Sequence, residues 1–286
     1  MPEGDTIYRT AEVLRSALIG RRIVDARAQA RPGMRIVPDL SRLIGASVTS
    51  VESRGKHLLI GFDIGLTLRS HLRMRGSWHR YRPGEPWRRP MRQASAILQT
   101  SESVAVAFDT PVVELLTDAA LRRSRALTSL GPDLLGADFD FDEALRRLGE
   151  RGGDELGVAL LDQGAVAGIG NVIKSEVAFL GRLDPWARVR SFEDTELRDA
   201  LATARRLLQA NVGGGRRVTT GSGRPGDELW VYGRAGRPCR RCGTVILQRR
   251  QGELARQTFW CPRCQVPRGR RRRGPESDWD PTRDLD

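Results

Sequence analysis

The sequence predicts an α+β chain: a β-rich half of sandwich or barrel type, opened by one helix, followed by a helical half that ends in a cysteine module. Three observations carry this reading. From Arg22 to about Leu116 the apolar residues come in short runs separated by glycine, proline and arginine, the texture of a sandwich or barrel. Beyond Asp140 they recur at helical spacing, as on helices with one buried face. All four cysteines fall in two close pairs, Cys239-x2-Cys242 and Cys261-x2-Cys264.

Taken in order, residues 3–18 read as a helix because Ile7, Ala11, Leu14 and Leu18 fall on one face, with Gly20 ending it. Strand-like runs follow at 23–26, 48–51, 58–62, 66–68, 96–98 and 104–108. A short helical piece then leads to Leu130-Gly131-Pro132-Asp133, a turn of the kind that links domains. Helical spacing covers 141–148, 156–161, 172–180 and 193–211. The glycines at 213–215 and 221–226 predict a mobile loop. After the cysteine module the chain turns arginine-rich, then acidic, and is expected to be disordered. The divisions expected are 1–125, 131–226, 227–266 and 267–286.

The formal charge of +13 and a pI near 10.9 call for a polyanionic partner, most simply nucleic acid. An acidic membrane surface would need a basic amphipathic helix, which the sequence lacks. No apolar run approaches the roughly 18 to 20 residues that span a bilayer, and no signal pattern opens the chain. A soluble, cytoplasmic protein is expected. Of the 48 basic residues only Lys56 and Lys174 are lysine. Arginine does not release its proton at neutral pH whereas lysine can, so a lysine that persists among 46 arginines points to a need for lysine itself.

The cysteine spacing is that of a tetrahedral four-thiolate zinc site. Two disulfides are the rival, disfavoured in a reducing cytosol. With no open position such a zinc is structural and contributes on the order of 10 kcal/mol to folding the module. Leu160 to Glu176 reads as helix, glycine-bearing turn and helix around Ala167-Gly168-Ile169-Gly170-Asn171, and a helix N-terminus offers N–H groups to phosphate. Lys56 falls in the turn between two strands. At the start, Pro2 would be a free secondary amine once Met1 is removed, able to attack an electrophilic sugar carbon; Pro2 and Glu3 are equally the way a helix opens. His57, His71 and His79 need no catalytic role.

In order and spacing, Pro2-Glu3, Ser53-Arg54-Gly55-Lys56-His57, the 160–176 run and the four cysteines closely resemble the formamidopyrimidine-DNA glycosylase and endonuclease VIII family, up to about Gln265. The resemblance implies an N-terminal β-sandwich domain and a helix-two-turns-helix domain carrying a zinc ribbon, with damaged double- or single-stranded DNA in the cleft between them. It implies a monomeric, nucleoid-associated base excision repair enzyme with one structural Zn2+. Pro2 would form a Schiff base, Glu3 would protonate the sugar, and Lys56 would contact the lesion strand and donate a proton. Arg256 would hold the flanking phosphates and assist the last elimination, and Asn171 would hold a phosphate. Arg73, Met74 and Arg75 would fill the gap left by the extruded nucleotide, because 108–113 lacks the Arg-Phe pair that the purine branch uses there. Asp5-Thr6, 51–56 and 257–261 look more like the endonuclease VIII branch, which prefers oxidised pyrimidines. A formamidopyrimidine or 8-oxoguanine glycosylase, or a non-catalytic zinc-ribbon DNA-binding protein, are the alternatives.

Overall fold

A computed structural model of the chain describes residues 2–34 and 36–268. The expected disordered tail falls outside the described residues from position 269 onward. The chain divides into two compact units, Met1–Ser129 and Leu130–Asp286.

In the first unit, helix α1 (Gly4–Leu18) precedes eight strands: β1 (Asp25–Ala28), β2 (Val48–Arg54), β3 (His57–Phe62), β4 (Leu66–His71), β5 (Ser77–Tyr81), β6 (Ala94–Gln99), β7 (Val104–Phe108) and β8 (Val112–Thr117). They form two four-stranded antiparallel sheets, β1-β6-β7-β5 and β2-β3-β4-β8. One core joins both sheets to α1, with Leu58, Ile60 and Leu68 from one sheet and Ala96, Leu98 and Ala107 from the other. The apolar stripe of α1 supplies Ile7, Leu14 and Leu18, all essentially inaccessible, and each contributes roughly 1.5–3 kcal/mol by leaving water. Arg15 also fastens α1 to the second sheet, donating to the Val51 carbonyl at 2.8 and 3.1 Å. Strands β6 and β7 are buried on both faces for nearly their whole length because their other face is covered too, by Tyr81 and Trp87 packed around Phe108 of β7 itself.

Strands β5 and β8 are missing from the runs read in the sequence. In β5 the sequence Ser-Trp-His-Arg-Tyr carries a polar pair between its aromatics, and His79 packs on the Phe108 ring at 5.0 Å. β1 begins at Asp25 rather than Ile23, which is buried but bonds to the Ala46 carbonyl. The short helices α2 (Asp118–Arg122) and α3 (Arg125–Thr128) close the unit.

The second unit contains α4 (Phe141–Gly149), α5 (Leu156–Ala159), α6 (Asn171–Leu180) and α7 (Asp194–Ala210), then strands β9 (Leu247–Gln251) and β10 (Arg256–Trp260). Local chemistry sets the helix starts: Asp140 caps α4 by accepting from Asp142 and Glu143 N–H, and Glu193 with Glu196 forms a capping box on α7, each satisfying N–H groups that a helix start leaves open. α6 is buried on every side and serves as the axis of this core, where Ile173 and Val177 meet Leu201 and Leu208. Among the described residues no helix is long and apolar enough to cross a membrane.

Candidate active site and zinc ribbon

In the first unit, Glu3 is the N-cap residue of α1, fully buried although it is a carboxylic acid, and its carbonyl accepts from Thr6 and Ile7 N–H at 3.0 and 3.1 Å. Pro2, half-buried, immediately precedes it. The positive end of a 15-residue helix therefore lies at these two residues.

Lys56 lies in the two-residue turn between β2 and β3, where Arg54 pairs with His57. Gly55 takes φ +56 there, a value that costs glycine nothing and that a two-residue hairpin requires. Lys56 is half-buried. Behind it, the His57 and His71 rings meet edge to face at 4.8 Å. Arg69 bonds His57 Nδ1 at 3.0 Å and pairs with Glu114 at 2.6 Å. Because arginine only donates, His57 Nδ1 accepts and its proton sits on Nε2. His71 Nδ1 likewise accepts the Arg73 N–H at 3.1 Å. Burial first, then the facing histidine and the Arg69, Arg73 and Lys56 cations, push His57 down to about 3. Burial, followed by the same cations, pushes His71 down to about 4. Both rings are neutral at physiological pH.

The loop after β4 carries Arg73, Met74 and Arg75, all exposed, with Met74 at 55%. Arg73 adopts φ +53, an uncommon left-handed conformation that the His71 imidazole holds through the Arg73 N–H. Gly76 ends the loop against the Leu72 carbonyl, where a Cβ would stand 2.5 Å away. A cavity of about 210 Å3 brings the first turns of α1, at Thr6, Arg9 and Thr10, alongside Leu72, Gly76 and Trp78, which flank this loop. The other loop in question, after Phe108, is short. Arg31 and Arg89 clamp the carboxylate of Asp109, and β8 starts three residues later.

In the second unit, the turn before α6 is tied by Gln163, whose amide donates to the Leu161 and Ile169 carbonyls and accepts from Gly168 N–H. Gly168 has φ +107. Asn171 opens α6, and its Nδ2 donates to the Gln257 carbonyl at 2.6 Å. Sequence reasoning singled out Lys174 by its rarity but found neither its partner nor the importance of Glu176, both buried on this helix. Lys174 is 0% exposed and reaches Thr258 Oγ1 at 2.7 Å. Glu176, also fully buried, accepts from the N–H groups of Trp230, Val231 and Tyr232 at 2.8–2.9 Å and from the Thr219 hydroxyl, which clamps the segment leading into the ribbon. Burial raises its pKa against the pull of these donors. The signal was present: a lysine and a glutamate inside Val-Ile-Lys-Ser-Glu-Val-Ala-Phe, a helix with no polar face to carry them.

The cysteines converge. Sγ atoms of Cys239 and Cys264 lie 3.9 Å apart, those of Cys242 and Cys261 3.4 Å, and all four within 4.8 Å of one another. A tetrahedron with Zn–S bonds of about 2.3 Å has edges of roughly 3.8 Å, so the donor set fits one structural zinc. The Gln265 side chain braces the second knuckle, accepting from Cys261 N–H and donating to the Leu183 carbonyl. Besides the cysteines, the cluster here has Phe179, Val231, Ile246 and Phe259 buried and Trp230, Tyr232 and Ala235 partly buried against them, a small core whose stability depends on the metal. Arg256 begins β10 opposite Gln251, half-buried, on the wall of a cavity of about 660 Å3 shared with Arg151, Asp162, Lys174 and Gln251.

Two antiparallel sheets opened by a helix, a helical unit with a glycine turn, and a four-thiolate ribbon define a class, the zinc-ribbon DNA glycosylases. Residues 1–111 match the formamidopyrimidine-DNA glycosylase N-terminal domain, 130–222 the H2TH domain of the same family, and 236–266 the zinc finger found in FPG and IleRS. The chain belongs to the formamidopyrimidine-DNA glycosylase family, and the resemblance read from its motifs holds up to residue 266, with the tail outside it. It is 44% identical to the "Probable endonuclease 8 2" of Streptomyces coelicolor, covering 93% of this chain and 94% of that one. It is 43% identical to the DNA-(apurinic or apyrimidinic site) lyase Nei2 of Mycolicibacterium smegmatis, covering 93% and 99%. A crystal structure of Lactococcus lactis formamidopyrimidine-DNA glycosylase, bound to DNA containing an abasic site, has the same fold with a TM-score of 0.77 at 23% identity, covering 93% of this chain and 100% of that one.

Proposed function

We propose that the chain is a bifunctional DNA glycosylase and abasic-site lyase of base excision repair, acting as a monomer on oxidised bases, pyrimidines first. The observation that carries this is the N-terminus: a buried carboxylic acid at the cap of α1, with a proline directly before it and the family's lysine turn in the same unit. The damaged nucleotide is extruded at a cost of a few kcal/mol, which damage lowers. With Met1 removed, the Pro2 nitrogen lone pair attacks C1′. Glu3 protonates the ring oxygen as the C1′–O4′ bond opens, the bond from C1′ to the base breaks with the base leaving on its electron pair, and the Pro2 nitrogen, having shed its own proton, forms the C1′=N+ double bond. The resulting iminium acidifies C2′–H, whose loss expels the 3′ phosphate, and a second elimination expels the 5′ phosphate.

Lys56 serves as a proton donor for elimination and a contact to the lesion strand. Arg256, whose guanidinium keeps its proton, acts by charge on the departing phosphate. Asn171 holds a phosphate. Zinc, where bound, supplies only the fold of the ribbon. Association with the nucleoid follows from a charge of +13 and a DNA substrate.

For the wedge, Met74 inserts into the base stack while Arg73 and Arg75 hold the orphaned base or its phosphates. The exposure of Met74 supports this, as does the clamped Asp109 loop. The pyrimidine preference rests on the 39–44% identity to endonuclease 8-type and Nei2 relatives, against 35% over a shorter span for a formamidopyrimidine-DNA glycosylase of Heliobacterium modesticaldum.

The test is covalent capture. Borohydride is expected to trap the Met1-processed protein on abasic DNA through Pro2. Equal adduct from Pro2→Gly, or none from processed wild type, would favour a non-catalytic DNA-binding protein.

A further inference from the structure

Lys174 takes part in none of the steps above, yet it is one of two lysines in the chain and is completely buried. Burying an ammonium costs several kcal/mol unless its hydrogen bonds are met. Its Nζ donates to Thr258 Oγ1 at 2.7 Å and reaches the Gln257 carbonyl at 3.4 Å. One turn earlier on the same helix face, Asn171 Nδ2 donates to that same carbonyl. Two donors of α6 thus converge on the second and third residues of β10, directly after Arg256.

The network continues away from α6. Thr258 Oγ1 donates to Gln251 Oε1 at 2.6 Å, and Gln251 Nε2 donates to Glu155 Oε2 at 2.9 Å and the Pro185 carbonyl at 2.7 Å. Gln251 is the ladder partner of Arg256. It can enter this position only because residue 157 is glycine: a Cβ there would overlap the Gln251 amide. Both strands of the hairpin are therefore held from beneath at the level of Arg256, while the loop between them, with Leu254 at 78% exposure, stands in solvent. Arg256 and Thr258 lie on the same face of β10 by strand alternation.

We infer that Lys174 is a positioning residue, a buried cation that fixes the β9–β10 hairpin on α6 and thereby aims Arg256. Lysine suits the task because a compact ammonium with three rotatable donors fits where a planar five-donor guanidinium does not. The inference rests on the proposed part of Arg256 in the second elimination.

The test measures the two products separately. Lys174→Met, which keeps length and helix propensity, is expected to retain zinc and to trap on abasic DNA at the wild-type rate within twofold. The second elimination should slow about tenfold, so that the product still bearing the sugar remnant accumulates. Thr258→Val, which deletes the acceptor at constant volume, should reproduce this split while Thr258→Ser should not, and this pair carries the test if Lys174→Met fails to fold. In an Arg256→Ala background, Lys174→Met should add no further loss. A wild-type product ratio in Lys174→Met or Thr258→Val, with Arg256→Ala impaired, overturns the inference alone; additive losses do the same. An unimpaired Arg256→Ala overturns the reading of Arg256 and the inference with it.

Discussion

The two hairpins that carry the proposed cationic groups are built in opposite ways. The β2–β3 turn has two residues, and its shape comes from the chain itself: Gly55 supplies the positive φ and the strands pair up to the turn on both sides. The β9–β10 hairpin has a four-residue exposed loop and a module with few apolar residues beneath it, so its shape comes from outside, through Asn171, Lys174, Gln251 and the four cysteines. A tight turn fixes a lysine by covalent geometry, whereas a long hairpin holds an arginine only as firmly as its attachments.

The comparison breaks most visibly when zinc is lost. Cys261→Ser should release the metal, and a loss on the order of 10 kcal/mol exceeds what so small a module can spare. The ribbon unfolds and DNA affinity falls, while the β2–β3 hairpin keeps its fold. Elemental analysis beside fluorescence anisotropy on abasic duplex checks this; full affinity in metal-free protein would refute it. A smaller break comes from Gly157→Ala, which pushes Gln251 out of its place and should cost about 1–3 kcal/mol in the second unit, read by thermal unfolding. An unchanged melting temperature would show that Gln251 is not a staple.

On the other side, the first unit should be acid-sensitive. His57 and His71, at about 3 and 4 in the folded chain, bind protons near 6.5 when unfolded, so the unfolded state takes up more protons below 6.5. Their neutral packing is fully favourable above pH 6.5, and stability declines as the pH falls from there toward 4. Denaturant unfolding followed at pH 7 and pH 5 should show this, and a Trp78 signal with the same midpoint at both would count against it. The smallest effect concerns the base opposite the lesion. Two flexible arginines offer no fixed pattern to one base edge, so single-turnover excision opposite each of the four bases should vary by less than tenfold, about 1.4 kcal/mol. Larger discrimination, or an unaffected rate in Met74→Ala, would place the wedge elsewhere.

What the sequence disclosed was local. The α1 stripe, the glycine at the β2–β3 turn and the paired cysteine knuckles each lie within a few residues, and the structure places each as the spacing required. The hidden parts are those assembled across distance. Lys174 meets Thr258 from 84 residues away and Glu176 meets Tyr232 from 56, so neither partner is visible from the other. β5 was missed because His79 and Arg80 interrupt its apolar alternation, although His79 is satisfied by Ser77 and Tyr81 on either side. The His57–His71 pair depends on the register of β3 against β4, which only the folded sheet fixes.

The near absence of lysine has a chemical consequence. An abasic site in its open form is an aldehyde, and any unprotonated amine that lingers beside it can condense to an imine, so a lysine-coated protein risks becoming stuck to the lesion at random. This chain presents guanidinium groups instead, which stay protonated and do not condense. One of its two lysine amines is sealed inside α6 and the other sits half-buried in the Lys56 turn. In the proposed reaction, a cationic coat that is inert toward sugar aldehyde would leave the imine-forming step to the amino terminus of the Met1-processed chain, with Lys56 as its sole side-chain competitor.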